Sequence, residues 1–166
     1  MGIYMGKEYG QPAKQSGPRN QYGQRGSKPP YNNSRPQPKA IEPVPLPKDF
    51  VEKAERVMSD PVAEWTRKIT TSKIRRLFSL FTDIYNVENR RTEPALTEEN
   101  VGRLRLAQIR MLYEAGRDRN VKDFLDSAGL VSHLKAVGTD RDAFICYFHY
   151  MEALVAYHKY FGGREG

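Results

Sequence analysis

Hydrophobic residues recur with helical spacing from Asp49 to the end of the chain. The stretch TTSKIRRLFSLFTDIY, residues 70–85, shows the pattern: apolar side chains return every three or four positions after a Thr/Thr/Ser run. Such spacing places them on one face of an amphipathic helix, and a hydroxyl side chain is a common helix N-cap. No convincing run of alternating strand residues occurs in this region. The pattern therefore predicts an all-α fold, a compact bundle of about five to seven helices.

The helices can be placed from their apolar spacing and their capping residues. A first short helix is expected over residues 50–58, and Pro61 fits the start of a second that continues through Trp65. The third is the helix of the 70–85 stretch. It is expected to continue to about Asn89.

The second half of the chain predicts four further helices. Thr97 caps a helix that is expected to end at Gly116, a C-cap candidate. Two short helices follow, over residues 121–127 and 130–136. Thr139 and Asp142 have the spacing of a capping box for the last helix.

The last helix is apolar or aromatic almost all round, from Phe144 to Phe161. A transmembrane interpretation is poor because its His, Glu and Lys side chains would be stranded in lipid. In so small a domain, such a helix is either the central strut or shared with another subunit, and both roles together are favoured. Tyr160 is the side chain chosen as facing outward.

Composition divides the chain into two parts. Residues 1–47 hold nine of the 11 prolines and six glycines, which predicts a disordered tail before a helical domain at 49–166. Of the net charge of +7, nearly all lies in the tail, since residues 1–48 carry eight basic and two acidic side chains. Arg and Tyr alternate in the tail, which suits loose contact with phosphates and bases, but a solubilising linker is an equal alternative.

The body is nearly neutral, so an anion-binding surface on it requires charges segregated onto one face. The first turn of the third helix carries Lys73, Arg75 and Arg76, although cations at a helix N-terminus oppose the macrodipole. Arg75 lies in a strip with Ser79, Thr82 and Asn86 that contains no acid of this helix. Arg76 lies farther round the helix, towards Asp83. The strip is suited to a sugar-phosphate backbone, near exposed helix N–H groups.

The fourth helix repeats this arrangement with Arg103, Arg110 and Arg117, seven residues apart and therefore along one edge. Glu114 has the i, i+4 spacing to pair with Arg110. The alternative interpretation for both helices is a solvated face with ordinary surface ion pairs. Spacing alone does not decide between them.

Catalytic chemistry has little support in the sequence. Cys146, His149 and Glu152 have i, i+3, i+6 spacing, but successive steps drift by 60° round a helix and the three cannot converge well on a metal. No phosphate-binding loop, nucleophile elbow or zinc motif occurs. We therefore expect no enzyme activity, no cofactor and no metal. The single cysteine excludes an internal disulfide, and the polar first residues favour a cytoplasmic protein.

Four segments together resemble a known family. They are ITTSKIRRLFSLFTDIYN, QIRMLYEAGR, VKDFLDSAGL and YMEALVAYHKYFGG. In this order and spacing, over about residues 49–163, they are similar to the small subunit of the type III-A CRISPR (Csm) effector complex. The resemblance implies a helical bundle present in several copies, forming a filament beside the crRNA-bound backbone subunits and helping to hold target RNA. It also implies that cleavage belongs to other subunits, and it matches Arg75, Arg110 and Arg117 to family arginines.

The resemblance makes a non-catalytic, RNA-contacting filament subunit the leading hypothesis. The expected partners are target RNA in the crRNA-containing particle, other copies of the chain, and the backbone and large subunits, with no membrane. The candidate RNA-binding residues are Lys73, Arg75, Arg76, Arg103, Arg110 and Arg117. A pure scaffold, whose arginines pair with acidic partner proteins, is the alternative. A metal-dependent hydrolase using Cys146, His149 and Glu152 is the third.

Overall fold

The computed structural model describes residues 2, 3, 6, 10, 13 and 39–166, so most of the predicted tail lies outside the described residues. The described part contains seven helices and, apart from two isolated bridges, no strand. They are α1 Phe50–Ser59, α2 Trp65–Lys68, α3 Thr71–Glu88, α4 Glu98–Arg117, α5 Arg119–Ala128, α6 Leu130–Val137 and α7 Arg141–Tyr160. The all-α prediction is confirmed.

Helix α7 is the central strut of the bundle. It packs against α1, α3 and α6, while α5 packs against α2, α4 and α6. Six of its apolar and aromatic side chains are buried, namely Phe144, Tyr147, Phe148, Tyr150, Met151 and Leu154. Near its C-terminal end Tyr160 is 80% exposed, as predicted. The helix therefore fills the core over most of its length and presents an aromatic side chain at its end.

The predicted second helix starts too early. Pro61 lies in a turn, in which the Asp60 side chain accepts a hydrogen bond from the Val62 N–H at 2.9 Å. This Asx-type turn competes with a helical first turn. The helix begins only at Trp65, whose side chain is buried.

Two predicted caps also differ from the structure. Gly116 is not a C-cap, because α4 continues to Arg117 and ends at Asp118, which also caps α5 by accepting from the Asn120 N–H at 2.8 Å. The N-cap of α7 is Asp140, whose carboxylate accepts from the Ala143 N–H at 2.9 Å, and not Thr139. At the end of α4 the Asp118 N–H donates to the Glu114 carbonyl, while the carboxylates of Asp118 and Asp140 accept at the starts of α5 and α7.

An extended segment, residues 41–46, lies along α6; we call it the strap. Val44 donates its N–H to the Ser132 carbonyl at 3.1 Å and accepts from His133 Nδ1 at 2.7 Å. Lys53 Nζ lies 2.5 Å from the other ring nitrogen of His133. Burial lowers the pKa of His133, and the charge of Lys53 lowers it further. The neutral ring thus donates to the strap and accepts from Lys53. The sequence had placed these strap residues in the tail.

Buried Glu88 links α3 to α4 through its carboxylate and to α7 through its backbone carbonyl. Glu88, at the end of α3, is fully buried and accepts from Arg91 Nη1 at 2.6 Å and Asn100 Nδ2 at 2.5 Å. It also accepts from the backbone N–H and the hydroxyl of Thr97, at 3.2 and 3.3 Å. Arg141 of α7 donates to the Glu88 carbonyl at 2.7 Å. We call these residues the Glu88 cluster.

Candidate nucleic-acid interface

The start of α3 has the capping predicted for it. The Thr70 side chain accepts from the Lys73 N–H at 3.3 Å, and Ile74, Leu77 and Phe81 are buried on the inner face. Because the apolar face is fixed against α7 and α4, Lys73 in the first turn and Arg75 and Arg76 in the second must point away from the core. The exposed positions of Arg75 and Arg76 follow from this.

The C-terminal segment covers the N-terminus of α3. The Thr71 N–H donates to the Arg164 carbonyl at 2.8 Å, and the Thr71 hydroxyl lies 3.1 Å from Nδ1 of His158, a buried residue. A Cβ on Gly163 would overlap the His158 ring, so only glycine fits there. Two of the N–H groups at this helix end, those of Thr71 and Lys73, are therefore occupied within the chain. The expectation of exposed N–H groups beside the Arg75 strip is wrong for them.

Two of the three cations near the start of α3 form ion pairs with acids at the C-terminal end of α4. Lys73 Nζ lies 2.5 Å from Asp118, and Arg76 Nη2 lies 3.2 Å from Glu114. The hydrogen bond from Lys73 is the main reason that the pKa of Asp118 lies below its usual value. Glu114 therefore pairs with Arg76 of α3, and not with Arg110 of its own helix as predicted. The ion pair with Asp118 offsets the unfavourable interaction of Lys73 with the macrodipole of α3.

The six candidate residues divide into two groups. Lys73, Arg76 and Arg103 are paired, the last with Glu99 at 2.7 Å. Within the described part of the chain, no carboxylate lies within ion-pair distance of the other three, Arg75, Arg110 and Arg117.

Two of the three unpaired arginines have other neighbours. The guanidinium of Arg117 lies 5.5 Å from the ring centroid of Tyr113, a cation–π distance. Glu165, which is bonded to Lys159, is near enough to Arg75 for that arginine to contribute to its lowered pKa. The Arg75 strip is thus free of acids on its own helix, but an acid of the C-terminal segment lies near it.

A groove between α3 and α4 connects most of the candidate cations. It contains three cavities, of about 70, 400 and 240 Å³. The smallest adjoins Lys73 and Asp118. The largest lies between the other two along the groove and is lined by Arg76, Ser79 and Arg110; we call it the middle cavity. The third is lined by Arg103, Arg110 and Asp83, so Asp83 faces the arginines of α4. Arg110 lines both larger cavities and Ser79 belongs to the Arg75 strip, so the two strips meet in this groove.

The outer face of α4 is apolar, a feature absent from the sequence-based predictions. Leu106, Ile109 and Tyr113 are 58%, 61% and 62% exposed, on the side opposite the buried residues of the helix. Gly102 precedes Leu106 by four residues and Gly116 follows Tyr113 by three, so both glycines lie on the same side of the helix. A Cβ at either would meet open space. We call Leu106, Ile109 and Tyr113 the α4 stripe. Its i, i+3, i+7 spacing is a signal in the sequence that could have revealed it.

The possible metal ligands of α7 do not converge. His149 Nδ1 lies 2.7 Å from Glu152, while Cys146 is exposed and belongs to no cluster. Among the described residues there is no group of three His, Cys, Asp or Glu side chains that could hold a metal ion. Of the helices in residues 39–166, none has the length and hydropathy needed to cross a membrane.

Comparisons with known proteins agree on one family. The family model Csm2 Type III-A matches residues 46–164. A protein of Streptococcus thermophilus named CRISPR system Cms protein Csm2 is 35% identical over 121 residues, covering 70% of this chain and 94% of the relative. A protein of the same name from Mycobacterium tuberculosis is 30% identical over 117 residues, with the same two coverages. One from Enterococcus italicus is 30% identical over 95 residues, 56% of this chain and 68% of the relative.

Proposed function

The chain belongs to the type III-A Csm2 family and is therefore a subunit of a type III-A CRISPR effector complex, and we propose that it holds target RNA there without catalysing a reaction. Several copies form a filament beside the crRNA-bound backbone and large subunits, in the cytoplasm. The complex serves antiviral defence. The chain's own part in it is to bind the phosphates of the target strand.

The unpaired arginines of the α3–α4 face are the observation that carries this proposal. Arg75, Arg110 and Arg117 have no ion-pair partner in the described part of the chain, and guanidinium groups bind phosphates with two parallel hydrogen bonds. In the groove four cations lie near three acids, Asp83, Glu114 and Asp118, and of those cations Arg110 is the one without an ion-pair partner among the described residues. The cations Lys73 and Arg76 are already paired with Asp118 and Glu114. We therefore assign phosphate contact to the three unpaired arginines first.

A second candidate function is a protein scaffold. The α4 stripe favours it, because three large apolar side chains on the outer face of one helix, with glycine at both ends, suit close approach of another protein. In that case the arginines beside the stripe would pair with acidic side chains of the partner, and RNA would be held elsewhere in the particle.

The test uses reconstituted particles and two double variants with equal loss of charge. Arg75→Ala with Arg110→Ala removes unpaired arginines, whereas Lys73→Ala with Arg103→Ala removes paired cations and serves as the matched control. We expect the first variant to weaken target-RNA binding equally for all guide sequences. It should also lower the slope of log K against log salt by about one per lost phosphate contact.

The control variant should change affinity and salt slope less, and both particles should assemble normally by size-exclusion chromatography. Equal losses from both variants would mean that only net charge matters. Unchanged affinity with Arg75→Ala and Arg110→Ala together would contradict the RNA-holding function. Loss of assembly instead would favour the scaffold.

A further inference from the structure

The middle cavity of the α3–α4 groove has the size and walls of a nucleotide site. Its volume of about 400 Å³ falls in the range of small-ligand pockets, roughly 300–1,000 Å³. Leu77 and Leu80 supply apolar wall, and Tyr113 adds an aromatic ring that is 62% exposed. Ser79 and Arg110 supply polar wall. A purely electrostatic contact with a phosphate chain needs no apolar or aromatic wall.

The charges in this cavity favour a neutral ring beside one phosphate. Arg76 and Glu114 form an ion pair at 3.2 Å and leave no net charge at that side. Arg110 contributes one positive charge without an ion-pair partner in the described residues. The Glu114 carboxylate would repel a phosphate next to it. A nucleobase carries no charge, and its N–H groups can donate hydrogen bonds to the carboxylate. The phosphate therefore belongs at Arg110 and the base towards Glu114.

The exposed ring of Tyr113 is restrained by a neighbouring arginine. Arg117, one turn farther along α4, lies 5.5 Å from the centroid of its ring. A cation–π contact of this kind restrains the ring at an exposed site. Aromatic rings on which bases stack are the usual way to hold single-stranded RNA without reading its sequence.

We propose that the middle cavity receives one nucleobase of single-stranded RNA, which stacks on Tyr113 while Arg110 holds its phosphate. This inference rests on the proposed RNA-holding function and adds a base contact to it. Tyr113 is then a binding residue in its own right. The same ring belongs to the α4 stripe, so a protein contact is the competing use of this position.

The test measures binding of the full chain to a single-stranded RNA of about ten nucleotides carrying one 2-aminopurine, and to an abasic RNA, a ribose-phosphate chain of the same length without bases. We expect Tyr113→Ala to weaken binding of the first RNA about tenfold and to reduce the quenching of 2-aminopurine fluorescence. Tyr113→Phe should behave as wild type, because the ring is retained. The abasic RNA should bind the wild type and Tyr113→Ala equally.

Ile109→Ala is the matched control, since Ile109 is as exposed as Tyr113 on the same stripe but does not line the cavity. It should leave RNA binding unchanged. If Tyr113→Ala binds RNA as wild type while Arg110→Ala loses affinity, the base site is refuted and phosphate binding stands. If neither variant loses affinity, both the base site and the proposed function are refuted. Equal loss of particle assembly by Tyr113→Ala and Ile109→Ala, with RNA binding intact, would make the stripe a protein contact and overturn the base site.

Discussion

The two ends of α3 use charged side chains in opposite ways. At its start Lys73, Arg75 and Arg76 are exposed, and their partners, where present, are single acids of other elements. At its end Glu88 is fully buried and accepts four hydrogen bonds from three residues. Water screens the first set, so its pairs add little stability and its free members can bind a ligand. The buried carboxylate is available to nothing outside the fold.

Removal of the Glu88 side chain should have a larger effect on stability than any substitution at the start of α3. Glu88→Ala leaves the buried Asn100 amide and the Thr97 hydroxyl without their acceptor, while Arg91 keeps Glu93 and the Ala95 carbonyl. Each buried polar group left unpaired costs about 1–3 kcal/mol, so the losses add to several kcal/mol. We expect a marked fall in the thermal unfolding temperature. Asp83→Ala, which removes an exposed acid of the same helix, is the control and should change stability little. Similar melting of the two variants would contradict the contrast between the two ends.

The Glu88→Gln variant separates charge from shape. Burial alone would raise the pKa of Glu88, but hydrogen bonds from Asn100, Arg91 and Thr97 outweigh burial and hold the pKa below its usual value. A carboxyl with a depressed pKa gives stability that is present above the unfolded pKa, about 4.3, and is lost as pH falls through the folded pKa. The stability of Glu88→Gln should therefore depend less on pH below about pH 4.3 than that of the wild type.

The strap extends the comparison to a second buried polar group. His133 is 3% exposed, and its Nδ1–H has the Val44 carbonyl as its acceptor. Deleting residues 1–47 removes that acceptor, which should cost about 1–3 kcal/mol. Deleting residues 1–38 keeps the strap and should leave stability unchanged. Both deletions should lower the salt dependence of RNA binding by the isolated chain, because both remove most of the tail's basic residues.

Chemical denaturation of both truncated chains, followed by circular dichroism, checks this prediction. Equal stability of the two would show that the strap contributes nothing, and that the domain boundary at residue 47 expected from composition is adequate. Loss of the cooperative transition in the shorter chain would instead place the strap within the minimal folding unit.

Local pattern accounts for what the sequence predicted. The spacing of Ile74, Leu77 and Phe81 fixed both the existence and the inner face of α3, because periodicity depends on one helix alone. The burial of Glu88 could also have been predicted, since Glu88 continues that apolar spacing. A buried acid needs hydrogen-bond partners. Its partners were not readable. The pairs Lys73–Asp118 and Arg76–Glu114 join residues 45 and 38 positions apart, so they depend on how α3 and α4 pack and not on either helix alone.

The smallest expected effect belongs to the paired cations at the start of α3. Lys73→Ala and Arg76→Ala each remove an ion pair whose cation is 47% or 72% exposed, and pairs of this kind contribute about 0–1 kcal/mol. Lys73→Ala also relieves an unfavourable interaction with the helix macrodipole, worth roughly 0.3–1 kcal/mol, whereas Arg76, the sixth residue of α3, lies beyond the first turn, to which this effect is confined. The two contributions oppose each other, so the double variant should melt close to the wild type.

The same double variant should also affect RNA binding slightly. Because Asp118 and Glu114 would then lose their cations, their repulsion of RNA at this end of the groove should rise. RNA affinity, measured at two salt concentrations, should fall less than with Arg75→Ala and Arg110→Ala. A fall in stability as large as that of Glu88→Ala would show that the surface pairs contribute as much as the buried cluster to the packing of α3 against α4.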